Sequence, residues 1–203
     1  MSVPEIVIAT KNRGKLKEFR QIMDGLGLPR LVALRSLADF PDYPDVVESG
    51  KTYEENALIK AREAARRTSF IAVADDSGIE VDALGSAPGV ISARYAGEGS
   101  TDAANNEKLL RELSGVPEEK RGARFVAVIA VVSPKGKEAV VRGECVGLIT
   151  AFPRGSKGFG YDPIFYYPPL GKTYSEMTQA EKNEISHRRR AIEALCEVLP
   201  GFL

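Results

Sequence analysis

The order of elements readable in this sequence predicts an α/β protein with a mixed sheet. Three observations carry that prediction. Short apolar runs alternate with amphipathic stretches at the start of the chain, giving βαβαβ. Two long apolar-rich runs, Ala123 to Val132 and Ala139 to Leu148, meet at Ser133-Pro134-Lys135-Gly136 and read as a hairpin. A helical tail closes the chain.

Ile6-Val7-Ile8-Ala9 reads as a first buried strand. Lys15 to Met23 is helical in pattern, with Leu16, Phe19, Ile22 and Met23 at helical spacing and Gly25 at its end. Leu31 to Leu34 reads as a second strand, and Pro41, Asp42, Pro44 and Asp45 mark a loop. A helix follows from Tyr53 to Arg67, opened by a capping box of Thr52 and Glu55. Its stripe of Ala57, Ala61, Ala64 and Ala65 suits close packing on a sheet. Phe70 to Ala74 is the third strand, followed by a glycine-rich loop through Gly85, Gly89 and Gly97, then a helix over Asp102–Leu113. A Gly/Pro/aromatic loop spans Pro153 to Pro169, and Thr178 to Leu199 is helical with Ile185, Ile192, Leu195 and Leu199 facing inward.

The chain has 203 residues, enough for one domain or a two-lobed one, and no repeat or linker divides it; the reading is a single two-lobed domain over 1–203. Lys+Arg and Asp+Glu are both 28, a balance that argues against a dedicated nucleic-acid or membrane-surface protein. Cys145 and Cys196 lack metal-ligand spacing and read as small apolar residues in a reducing compartment. Met1-Ser2-Val3-Pro4-Glu5 lacks the basic start of a signal peptide, and no apolar run reaches the ~20 residues of a membrane span. The expected location is the cytoplasm.

Five segments carry chemistry. Asp75-Asp76-Ser77-Gly78 follows a buried strand, and adjacent carboxylates there repel and need a partner, most simply a divalent cation. The alternative is a turn in which Asp75 caps and Asp76 is solvated. Thr10-Lys11-Asn12-Arg13-Gly14-Lys15 joins a strand to a helix and presents backbone N–H groups and cations suited to phosphate, or else is a capped helix start with solvated lysines. Glu48, with Asn56 and Lys60 on the next helix, gains meaning from the need for a cation; alone it reads as a solvated face. In Gly158-Phe159-Gly160-Tyr161-Asp162-Pro163 the glycines permit close backbone approach, Phe159 suits stacking on a flat ring and Asp162 suits accepting from its edge, while Tyr161 reads as packing. Last, Lys182 and His187, the only histidine, would stand about 140° apart on one continuous helix. They line one pocket only if the helix breaks, for which Ser186 is a fair new N-cap.

Together these segments resemble the inosine triphosphate pyrophosphatases, over nearly the whole chain and in the right order. Thr10-x-Asn12-x-x-Lys15 is similar to that family's phosphate motif, Asp75-Asp76-Ser77-Gly78 to its metal and catalytic segment, and Phe159-Gly160-Tyr161-Asp162 with Ser186-His187-Arg188 to its base-recognition segments. The resemblance implies a long mixed sheet with helices on both sides and two lobes flanking a central substrate cleft. It also implies a homodimer, Mg²⁺ dependence, and conversion of ITP, dITP and XTP to monophosphate and pyrophosphate. On that basis Glu48 and Asp76 are the expected metal ligands, and Asp76 also directs the attacking water. Thr10 to Lys15 handle phosphate, with Lys60 a weaker candidate, and Ser77 is a further substrate-binding residue. Phe159, Gly160, Tyr161, Asp162, Lys182, His187 and Arg188 hold the base. Donors at Lys182, His187 and Arg188 would accept a 6-oxo group and leave adenine's amino group facing donors, a costly mismatch. A Maf-like pyrophosphatase acting on pyrimidine or modified nucleotides is the alternative, and the base-recognition segments argue against it. A nucleotide-binding module without catalysis is disfavoured by the intact carboxylates, and RNA binding through Arg188-Arg189-Arg190 by the neutral net charge.

Overall fold

The computed structural model describes residues 3–27 and 32–203. Seven strands form one sheet in the order β2-β1-β3-β4-β5-β6-β7. The strands are β1 (Glu5–Ile8), β2 (Ala33–Ser36), β3 (Ile71–Val81), β4 (Gly122–Val132), β5 (Glu138–Ile149), β6 (Phe165–Tyr167) and β7 (Lys172–Thr173). β1 pairs in parallel with both β2 and β3, whereas β6 is antiparallel to β5 and β7, so the sheet is mixed as the element order predicts. The helices are α1 (Arg13–Gly25), α2 (Tyr53–Thr68), α3 (Asp102–Glu112), α4 (Gln179–Ile185) and α5 (His187–Val198).

The chain divides into two compact units. The first comprises the residues up to Asp76, Ala127–Gly143 and Arg188–Leu203; the second comprises Ser77–Val126 and Glu144–His187. In the first, Ile6 and Ile8 of β1, Phe19, Ile22 and Met23 of α1, Val73 of β3 and Ile192 and Leu195 of α5 form one buried cluster. The alanine stripe of α2 is fully buried, the close approach that small side chains allow. In the second, Ile79 and Val81 of β3 pack with Phe125, Phe165 and Tyr174, the ring of Phe125 lying parallel to that of Tyr174 with centroids 5.4 Å apart.

Three sequence expectations are corrected. β3 does not stop at Ala74: it runs through Asp75-Asp76-Ser77-Gly78 to Val81. The acidic pair reads as a strand breaker only while its charges lack partners, and here cations meet both. The second strand is Ala33–Ser36, so the expected Leu31–Leu34 is shifted, and Leu31 lies outside the described residues. The Pro153–Pro169 loop contains β6, a strand too short for periodicity to reveal. The helical tail is two helices, parted at Ser186 by extended backbone (φ −70°, ψ 154°), the break that Lys182 and His187 call for.

Candidate active site

Side chains alternate faces along a strand, so Asp75 and Asp76 meet different partners. Both are buried. Asp75 accepts from Lys15 Nζ at 2.6 Å and from Arg188 Nε at 3.2 Å. The same guanidinium, fully buried, donates through Nη1 to Glu18, a buried carboxylate one turn beyond Lys15 on α1. Burial works to raise the Asp75 pKa, but the charges of Arg188 and Lys15 outweigh it and hold the carboxyl far below the usual carboxylate range. Burial likewise disfavours the Arg188 cation, and Asp75 and Glu18 reverse that. Asp75 is therefore a fixed anion tying β3 to α1 and α5.

Asp76 is held differently. Its Oδ1 accepts from Lys60 Nζ at 2.8 Å, and Lys60 also lies 3.3 Å from Glu48 Oε1. Its Oδ2 is buried and takes no hydrogen bond among the described residues. Burial, with the nearby Glu48 charge adding to it, raises the Asp76 pKa against the opposing pull of Lys60 and Lys15. For Lys60 burial opposes the charge, and Asp76 and Glu48 win, raising its pKa. Glu48 stands in the loop before α2. Gly50 N donates to the buried Asn56 Oδ1 at 2.8 Å, and a Cβ at Gly50 would come within 2.6 Å of that oxygen. Of the expected capping box only half forms: Thr52 accepts from Glu55 N, while the Glu55 carboxylate takes the Lys51 N–H instead.

A divalent cation fits these residues. Asp76 offers an unsatisfied buried oxygen, Glu48 a part-exposed carboxylate, and both are hard oxygen donors of the type Mg²⁺ takes. Among the described residues no cluster of three or more His, Cys, Asp or Glu could hold a metal. Two carboxylates would be the protein's share.

In the turn before α1, Asn12 is the N-cap: its Oδ1 accepts from Lys15 N at 3.0 Å, and its own N–H donates to Thr10 Oγ1 at 3.2 Å. Arg13 and Gly14 form the first turn, with Arg13 exposed. Lys11 is exposed and pairs with Asp45 at 2.6 Å. The turn is thus a capped helix start with an inward Lys15.

The second unit carries the other predicted residues. Ser77 is half-buried on β3. Asp162 is buried, and its Oδ2 accepts from Phe159 N at 2.9 Å and Lys182 Nζ at 2.6 Å. Lys182 is itself buried and sits 4.8 Å from the centre of the half-buried Phe159 ring. A Cβ at Gly158 would overlap the Asp162 carboxylate. Tyr161 is packed, its hydroxyl donating to Ser92 O at 2.8 Å. His187 is buried with its ring parallel to Phe125, centroids 4.7 Å apart. Sequence reasoning missed Glu18. Its signal was present: a carboxylate one turn from Lys15, beside the apolar positions that bury α1.

The first unit thus holds an acidic pair on a buried strand, bracketed by lysines and a helix N-terminus. The class is an α/β protein with such a centre in one unit and an aromatic–lysine loop in the other. The chain belongs to the Ham1 family, whose model matches residues 6–198. It is 55% identical to a dITP/XTP pyrophosphatase of Geobacillus kaustophilus, the match covering 95% of this chain and 93% of that protein. Two solved structures share the fold. One is the Ham1 protein of Staphylococcus aureus (43% identity, TM-score 0.84, covering 97% of this chain and 98% of that one). The other is a HAM1 protein of Coxiella burnetii (42%, TM-score 0.86, 98% and 99%).

Proposed function

We propose that this protein hydrolyses dITP, XTP and ITP to the nucleoside monophosphate and pyrophosphate, clearing non-standard purines from the nucleotide pool. The observation that carries this reading is the 55% identity, over nearly the full length of both chains, to a dITP/XTP pyrophosphatase. The geometry supports it. Lys15 and the N–H groups at the start of α1 have the chemistry to hold a triphosphate, and Lys60 a cation's place beside it. Glu48 and Asp76 would hold Mg²⁺, which when bound would neutralise phosphate charge and assist the leaving group.

Asp76 orients the attacking water and takes its proton. The water oxygen bonds to the α-phosphorus as the bond from that phosphorus to the α–β bridging oxygen breaks, and pyrophosphate leaves with the electron pair. Asp75 takes no direct part; pinned by Lys15 and Arg188, it fixes the strand that presents Asp76. In the second unit Phe159 stacks on the base, while Lys182 and His187 supply donors for a 6-oxo purine. Arg188, bonded to Asp75 and Glu18, contributes by positioning. In this reading the working enzyme is a cytoplasmic homodimer.

Chromatography of the products tests the reading. The expected result is dIMP and pyrophosphate from dITP, with dTTP and UTP untouched. Release of dIDP and phosphate, or preference for dTTP or UTP, would overturn it.

A further inference from the structure

Gly160 is gripped at both of its backbone polar atoms, and so in the two peptides that flank it, by one helix. Its N–H donates to Asp102 Oδ2 at 2.7 Å, and its carbonyl accepts from Asn106 Nδ2 at 3.0 Å. Asp102 and Asn106 are four residues apart, on one face of α3. The preceding peptide is held too, since Phe159 N donates to Asp162. Three side chains therefore fix three consecutive peptides, and the residue between the first two is Phe159, whose ring lies beside Lys182.

The helix that does the gripping is itself anchored. Asn105, adjacent to Asn106, accepts from Ala96 N at 2.8 Å and Ser100 Oγ at 2.9 Å, and donates to Ala93 O at 3.2 Å. Two neighbouring asparagines do different work: Asn105 seats α3, and Asn106 reaches to the loop. Gly160 has φ +61°, and Gly158 φ +81°. Both lie in the region that other residues adopt at a cost of order 1 kcal/mol or more. A loop of such glycines has little stiffness of its own, so its conformation depends on these external bonds.

We propose that Asp102 and Asn106 are positioning residues for base recognition: by clamping the two peptides that flank Gly160 they hold Phe159 where a purine stacks, without touching the substrate themselves. This rests on the function proposed above.

The test is steady-state kinetics on dITP for Asp102→Ala, Asp102→Asn and Asn106→Ala, with inorganic tripolyphosphate as a competitive probe of phosphate binding alone. One net hydrogen bond corresponds to roughly tenfold in binding at most. Asn106 is buried, so Asn106→Ala is expected to raise KM about tenfold; Asp102 is exposed to competing water, so Asp102→Ala raises it about threefold. In both, kcat stays within about twofold of wild type and tripolyphosphate inhibition is unchanged. Asp102→Asn keeps an acceptor for the Gly160 N–H and restores the wild-type KM. An unchanged KM in the alanine variants, or equal weakening of tripolyphosphate, would overturn the proposal. Should Asn106→Ala fail to fold, the two Asp102 variants decide. If the wild-type protein does not turn over dITP, the function reading fails, and the dissociation constant for dITP replaces KM with the same outcomes attached.

Discussion

The two units solve the problem of rigidity by different means. In the first, charges on regular elements lock one another: Lys15 on α1, Asp75 on β3 and Arg188 on α5 form a buried chain that ends on Glu18. In the second, a glycine-rich loop is held by side chains bonding to backbone, with the buried ion pair of Lys182 and Asp162 at its root. The difference teaches where failure falls. A charge removed from the first leaves another charge buried without a partner, which is costly for the whole fold. A bond removed from the second frees a loop, which affects affinity more than stability.

The largest expected effect needs no loss of structure. Asp76→Asn keeps the shape of the side chain and removes its charge, so kcat falls by about 10³-fold or more while the melting temperature holds. A kcat near that of the wild type would exclude Asp76 from the reaction. Next comes Arg188→Ala, which takes one cation from two buried carboxylates, Asp75 and Glu18. The guanidinium that Asp75 and Glu18 share is what is lost, Lys15 staying on Asp75, and the cost is about 3–5 kcal/mol in denaturant titration. A loss under about 1 kcal/mol would show that the buried chain does not stabilise the first unit. Lys182→Met makes the corresponding cut in the second unit. Its expected signature is a KM for dITP raised roughly 10- to 100-fold, with a smaller loss of stability than Arg188→Ala, because one buried carboxylate rather than two loses its cation and Asp162 keeps the Phe159 N–H. A stability loss equal to that of Arg188→Ala would erase the contrast.

Acid supplies a subtler test. The folded pKa of Asp75 is depressed, by Arg188 and Lys15 against burial. Its contribution is therefore complete above the ordinary carboxylate value of about 4 and is lost as pH falls below that toward the folded value. Denaturant midpoints between about pH 5 and 2 should fall less steeply in Asp75→Asn than in the wild type. Equal slopes would show that Asp75 is not held as an anion. The smallest effect belongs to Lys11→Ala. Lys11 and Asp45 form an exposed pair, and stability should change by less than about 0.5 kcal/mol. A larger loss would show the surface pair to be part of the first unit's charge lattice.

What the sequence made legible follows the same division. Charges stand out against apolar runs, so Asp75-Asp76 after Phe70–Ala74, and the break required between Lys182 and His187, could be read directly. Pairing could not: nothing local says that Arg188 reaches Asp75 rather than a base, or that Lys60 spans Glu48 and Asp76. Those contacts join residues distant in the chain, and only the sheet order brings them together. The continuation of β3 through the acidic pair was hidden for the same reason, because its compensating cations lie on α1, α2 and α5. The α3 grip on Gly160 left no sequence signal at all, since Asp and Asn near a helix start read as ordinary capping chemistry.

The most direct test is pyrophosphate release from ITP, XTP, ATP and GTP, each with Mg²⁺ and with EDTA. The account predicts release from ITP and XTP alone, abolished by EDTA. Equal release from ATP would contradict the donor-lined base site, and release undiminished by EDTA would contradict the role given to Glu48 and Asp76.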